Sequence, residues 1–322
     1  MNKGLFAAAL GGLAISLLVN SPISRAETPV PPYMQPYAVS GTLTSIGSDT
    51  MVYLVSFWAV EFKKIYPRVQ VRISQAGSST APPALTSDES NLGPMSRPMK
   101  AKEIAEFEKR HGYPPTGIRV ALDTLAVYVN QKNPIAGLTM QQVDAVFSAE
   151  RRCGENTDAQ RWGQVGATGE WADRDIELYG RNQISGTYAF FREHVLCKGD
   201  FRKTLKMKPT SAEVVNNVMA KPNAIGYSGI GYLRPGVRAV PLAARAGQPF
   251  VEATPENART GRYPITRFLY LYVNKVPGKP LPPLEREFLR FVLSEAGQAA
   301  VENDGFVPLT GEQLHAERIK LE

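Results

Sequence analysis

The sequence is poor in the residues from which most metal and catalytic centres are built. It has 2 cysteines and 3 histidines among 322 residues. His111, His194 and His315 are scattered, and with so few thiols the chain offers little material for a metal site. Neither a metal nor a cofactor is expected. Beyond the first 26 residues no apolar run approaches the roughly 20 residues a membrane-spanning helix needs, so the rest of the chain is expected to be soluble. No low-complexity tract argues for disorder, and no basic stretch interleaved with aromatics argues for nucleic acid. The nucleophile-elbow pattern G-x-S-x-G is absent around Ser185, which sits in Asn182-Gln183-Ile184-Ser185-Gly186. None of the histidines lies in a glycine-flanked loop that suggests a base, so an enzyme is not expected.

What is present begins with a targeting pattern. Lys3 is a short positive start, Leu5 to Val19 is almost wholly apolar or small, and Ser24-Arg25-Ala26 puts small residues where a signal peptidase reads. Residues 1–26 are expected to be a secretory signal cleaved after Ala26; the alternative is a membrane anchor. No cysteine lies near that point, so a lipid anchor is not expected. In an exported chain Cys153 and Cys197 are expected to pair as a disulfide, the alternative being two buried thiols. The formal charge is +7, and loss of Lys3 and Arg25 leaves +5. That balance favours anionic partners through long-range attraction.

Hydrophobic residues make up 43% and charged residues 21%, as in an ordinary globular protein. The length exceeds the usual size of a single core, so two lobes are expected. Residues 27–40 are proline-rich and aperiodic and predict an extended arm. From Gly41 to His111 the pattern alternates strand and helix three times, which predicts an α/β lobe with a mainly parallel sheet flanked by helices. Ile118–Asn130 and Thr266–Asn274 are long β-rich runs, each ending in Val-Asn. Both are placed at lobe crossings, with a second lobe inserted between them. The limits are lobe I at 41–124 and 268–322, and lobe II at 125–267. Leu284–Val301 is expected to be one helix closing lobe I.

Three polar turns follow strands: Gly47-Ser48-Asp49-Thr50, Gly77-Ser78-Ser79-Thr80 and, after Arg181, Ser185-Gly186-Thr187. The first turn of a helix leaves backbone N–H groups unpaired and carries partial positive charge, so it attracts anions. Small hydroxyl residues add donors without blocking approach. Each turn alone is equally explained as a helix cap. Arg181, just after a strand, adds a planar fork that suits an oxyanion; a structural salt bridge is its alternative. Arg97, in Ser96-Arg97-Pro98, is a second candidate.

These segments, in this order, resemble the PstS-type phosphate-binding proteins of bacterial phosphate ABC transporters. Further matches are Ala224-Ile225-Gly226-Tyr227 and the run from Phe291-Val292-Leu293-Ser294 to Gly305-Phe306-Val307-Pro308-Leu309. The resemblance covers most of residues 41–310, with Ser-Arg-Pro as in one branch of the family. It implies a type II, two-lobe periplasmic binding protein with its ligand in the inter-lobe cleft. The expected ligand is inorganic phosphate, the expected partner an ABC permease complex, and the expected state a monomer. Thr50, through its hydroxyl and N–H, and the N–H of Met51 are implied donors, as are Ser78 and Ser79. Arg181 is the implied clamp, with Ser185, Gly186 and Thr187 as a donor nest.

Two departures bear on selectivity. Many relatives place an aspartate where this chain has Arg97, and an aspartate where it has Gln183. Arginine only donates. Facing the ligand, Arg97 favours a fully deprotonated anion; turned away, it pairs with an acid such as Asp49 or Asp123. Another oxyanion (sulfate, molybdate, arsenate or a phosphonate) is therefore the second reading, and an adhesin or signalling protein on the same fold the third.

Overall fold

Parallel pairing of the first two strands sets the frame of the molecule. The computed structural model describes Met1, residues 28–154 and residues 157–322. Residues 2–26 of the expected signal, with its cleavage point, lie outside the described residues. β1 (Gly41–Ile46) and β2 (Val69–Ser74) pair in parallel through α1 (Val52–Ile65). α1 buries Leu54, Val55, Trp58 and Phe62 along one face. Pro67 disfavours helical geometry at Tyr66 (φ −123°, ψ 79°), and the helix stops there. α2 (Ala81–Thr86), β3 (Gly93–Met95) and α3 (Ala101–His111) follow. Gly112 ends α3 with φ 83°, a left-handed cap that suits glycine.

β4 (Thr116–Asn130) then runs for 15 residues and is buried from Val120 onward. Beyond it come β5 (Leu138–Thr139), α4 (Met140–Phe147), β6 (Glu177–Arg181), α5 (Gly186–His194), β7 (Lys206–Lys208) and α6 (Ser211–Ala220). β8 (Ala224–Gly229), β9 (Val237–Ala239), β10 (Leu242–Ala243), α7 (Pro255–Arg259) and β11 (Thr266–Val273) complete the insertion and return the chain. α8 (Pro283–Val292), α9 (Glu295–Asn303) and α10 (Gly311–Ile319) close it.

The main sheet has the order β3-β11-β4-β8-β6-β7, with β9 also on β4. The pairs β1–β2, β6–β7, β6–β8 and β5–β10 are parallel, but β3–β11, β11–β4, β4–β8 and β4–β9 are antiparallel. The expected mainly parallel sheets are therefore mixed. The cause is that β4 and β11 cross between the lobes in opposite directions and pair with each other, so the seven-stranded sheet takes an antiparallel centre, while β1–β2 and β5–β10 stay parallel. Two large hydrophobic cores, with three smaller clusters beside them, result among the described residues. One gathers residues from Val39 to Ala121 and from Leu269 to Leu321; the other gathers residues from Leu125 to Ile265.

The expected helix over 284–301 is two helices. Leu293 closes α8, and the Ser294 hydroxyl accepts the Gly297 N–H to open α9. A Cβ at Gly297 would lie 2.2 Å from the Phe291 carbonyl oxygen, so glycine permits this tight corner. Residues 28–38 carry no regular structure and are pinned to the first core. Tyr33 reaches the Tyr66 hydroxyl at 2.7 Å and Glu287 at 3.0 Å, and the Glu295 N–H donates to Pro31 O. Cys153 and Cys197 form the expected disulfide in the second lobe. No helix among the described residues is long and apolar enough to cross a membrane.

Candidate functional site

β1, β2 and β3 end side by side, and their outgoing turns meet. Gly47 sits against β3 so closely that a Cβ there would lie 2.2 Å from Pro94 O. The Ser48 N–H donates to that same carbonyl at 2.7 Å, and the Gly77 N–H donates to Gly47 O at 2.8 Å. This packing brings three hydroxyls into one chain. Ser48 Oγ donates to Ser96 Oγ at 3.0 Å, Ser96 Oγ lies 3.2 Å from Ser78 Oγ, and the Ser96 N–H donates to Ser78 Oγ at 3.0 Å.

The start of α5, in the other lobe, lies on this chain. A Cβ at Gly186 would sit 2.2 Å from Ser78 Oγ and 2.6 Å from Ser96 Oγ, so only glycine allows this approach. The Ser79 N–H donates across the cleft to Ile184 O at 3.1 Å. Thr50 Oγ1 and Thr187 Oγ1 meet at 3.0 Å. Thr50, Ser78, Gly186 and Thr187, which come from turns far apart in the sequence, thus share one buried place between the lobes.

Arg181 ends β6 and is fully buried. Its Nη1 donates to Ser211 Oγ at 2.6 Å and its Nη2 to Pro209 O at 2.9 Å; Nη2 also lies 3.1 Å from Asp49 Oδ2. Its buried Nε has no protein partner. Burial pushes the guanidinium pKa down, and the Asp49 carboxylate pushes it back up. Asp49 Oδ2 also accepts the Ser211 N–H at the start of α6 (2.9 Å), and Tyr232 donates to Asp49 O at 3.0 Å. A residue next to Thr50 in lobe I is thereby fastened to the arginine of lobe II.

A second buried ion pair stands at the crossing. Asp123 on β4 and Arg267 on β11 are direct cross-strand partners. Nε and Nη2 of Arg267 both donate to Asp123 Oδ2, at 2.9 and 2.7 Å, and Nη2 also donates to Thr187 Oγ1 at 2.9 Å. Burial lowers the Arg267 pKa and Asp123 opposes that shift. Asp123 Oδ1 accepts the Ile230 N–H at 3.3 Å.

Several expected residues have other partners. Arg97 is the main correction: its Nη1 and Nη2 fork onto Glu103 at 2.8 and 2.7 Å, Nη1 also reaches Pro98 O, and Nη2 reaches Ser79 Oγ at 3.3 Å. It meets neither Asp49 nor Asp123, because those carboxylates hold Arg181 and Arg267. Glu103, in the first turn of α3, also accepts the Lys100 N–H, so it is placed for Arg97 by the helix start. The Met51 N–H donates to Ser48 O at 3.2 Å and its side chain belongs to the core. Ser185 Oγ caps α5 by accepting from Thr187 N (3.1 Å) and Tyr188 N (3.5 Å). Its hydroxyl follows the capping alternative.

Ser48, Asp49, Ser96, Asp123, Ser211 and Arg267 were not anticipated as site residues. The signal available for the central pair was a charge standing inside each long apolar crossing run. Chemically the site is a buried cluster of hydroxyl and guanidinium donors, with both carboxylates held by arginines. Such donors act strongly on an anion where water is excluded.

A family model described as a PBP superfamily domain matches residues 35–296. The phosphate-binding protein PstS of Pseudomonas aeruginosa PAO1 is 52% identical over 302 residues, covering 94% of each chain. PstS of Staphylococcus saprophyticus is 27% identical over 88% of this chain and 85% of its own. Among solved structures, a Clostridium perfringens chain described as a phosphate ABC transporter substrate-binding protein with bound phosphate superposes with a TM-score of 0.71. It is 25% identical and covers 84% of this chain and 100% of its own.

Proposed function

The chain belongs to the PBP superfamily and, within it, to the PstS phosphate-binding proteins, and from that premise we propose that it captures inorganic phosphate in the periplasm for an ABC importer. The observation that carries the reading is the meeting of Thr50 and Ser78 from one lobe with Gly186 and Thr187 from the other. Hydroxyls from two bodies that touch at one buried point are suited to close over a small tetrahedral anion. Arg181 supplies positive charge, and Asp49 lies beside it, 3.1 Å from its Nη2. With Arg97 committed to Glu103, selectivity rests on the remaining donors. Lobe limits near 41–124 with 268–322, and 125–267, belong to the same reading. So do cleavage after Ala26, action as a monomer and delivery to a permease complex.

Calorimetry on the purified chain tests it. Phosphate is expected to bind at micromolar affinity or tighter and sulfate much more weakly. Equal binding of the two, or tighter sulfate, would move the assignment to another oxyanion; binding of neither would remove it.

A further inference from the structure

Arg267 is used by no step of phosphate capture as described so far, yet it lies one hydrogen bond from the place where the lobes meet. It is fully buried, its partner Asp123 is fully buried, and so is Thr187. Two of its nitrogens are anchored on one oxygen of Asp123, which leaves the guanidinium little freedom to turn. Asp123 is itself held by the Ile230 N–H from the loop after β8. From this fixed base Arg267 Nη2 donates to Thr187 Oγ1.

A guanidinium donates and never accepts, whereas a hydroxyl has one proton and two lone pairs. In the Thr187–Thr50 contact taken alone, either oxygen could be the donor. Arg267 breaks that symmetry. A charged donor on Thr187 Oγ1 occupies one lone pair and polarises the oxygen, which makes it a better donor and a poorer acceptor. Thr187 then donates to Thr50, and the Thr50 proton has to point elsewhere.

We propose that Arg267 is a positioning residue for anion capture: through Thr187 it turns the Thr50 hydroxyl so that its proton faces the bound oxyanion. With Asp123 accepting at its base, the order Arg267, Thr187, Thr50 is a one-way chain of donors that spans the lobes and ends on the ligand. At that corner the site favours a deprotonated oxygen, which only accepts, over a P–OH group, which would have to turn its own proton away from Thr50. The inference rests on the phosphate-binding reading.

A double-mutant cycle read by phosphate calorimetry tests it. Asp123→Asn is combined with Arg267→Gln so that neither buried charge is left alone, and Thr187→Val is made in the wild type and in that background. The paired variant is expected to bind phosphate about 10- to 100-fold more weakly, the worth of a hydrogen bond from a charged group. Thr187→Val is expected to lose clearly less in the paired background than in the wild type. Equal losses in both backgrounds, or an unchanged affinity of the paired variant, would overturn the relay, since a merely structural role gives additive effects. Should the paired variant not fold, neutron diffraction of the wild-type phosphate complex decides the same point. The expected Thr187 proton points to Thr50 Oγ1 and the Thr50 proton to phosphate; the reverse direction overturns it. Wild type that fails to bind phosphate removes the functional reading itself, whereas additive losses in a phosphate-binding wild type remove only the relay.

Discussion

Arg181 and Arg97 carry the same side chain, and each meets a carboxylate, Arg97 through a two-nitrogen fork on Glu103 and Arg181 through Nη2 alone on Asp49, but only Asp49 adjoins the cleft. Arg181 sits at 0% exposure between Asp49, Ser211 and Pro209. Truncating it removes the cationic donor and leaves the buried Asp49 charge without its cation. Arg181→Ala is therefore expected to weaken phosphate binding by about 2–5 kcal/mol. Ser78→Ala leaves the Ser96 N–H without its acceptor and costs less, roughly 1–2 kcal/mol. Isothermal calorimetry on both variants checks the order; normal binding by Arg181→Ala would show the site to be misplaced. At this scale the sequence was half legible. Small residues in a strand-to-helix turn announce a donor cluster, so Thr50, Ser78, Gly186 and Thr187 could be found. Which acid an arginine meets could not, because Glu103 reaches Arg97 only through the start of α3.

At the scale of elements, hydrophobic periodicity placed most strands and helices, because the burial that fixes them is local in sequence. The break between α8 and α9 escaped it. The apolar run continues through Val292 and Leu293, and the corner depends on a close approach at Gly297 that periodicity does not encode. The end of α9 has a consequence for stability. Asp304 is its C-cap, a partly buried acid at the negative end of a helix dipole. Burial pushes its pKa up to about 7, against roughly 3.9 for an unfolded aspartate. Between those values the folded chain holds more protons than the unfolded one. The contribution is thus fully present below about pH 4 and is lost as pH rises through about 7. Asp304→Asn is expected to raise the thermal midpoint relative to wild type at pH 8, with the difference vanishing near pH 4. Melting curves at pH 4, 6 and 8 give the comparison. A difference that does not change with pH would place the Asp304 charge in water.

The molecule as a whole joins two cores by two crossing strands and a set of polar contacts. The order of the lobes could be read from the two long β-rich runs. The contacts that join them could not, since Thr50 and Thr187 are 137 positions apart and Asp49 and Ser211 are 162 apart. Nothing local in sequence reports such a pair. Those contacts do predict where phosphate changes the dynamics. A ligand gripped by both lobes opposes every opening that separates them, by about 2.7 kcal/mol at 100 times its dissociation constant. Hydrogen exchange with and without phosphate should therefore show slowing at two groups of amides together: Ser78–Thr80 in one lobe, and Gly186–Tyr188 with Ser211 in the other. α10, far from the cleft in the first core, should exchange at the same rate in both conditions. Slowing confined to one lobe would mean that the anion rests on a surface of that lobe, and closure of the cleft could no longer be the way this chain holds its ligand.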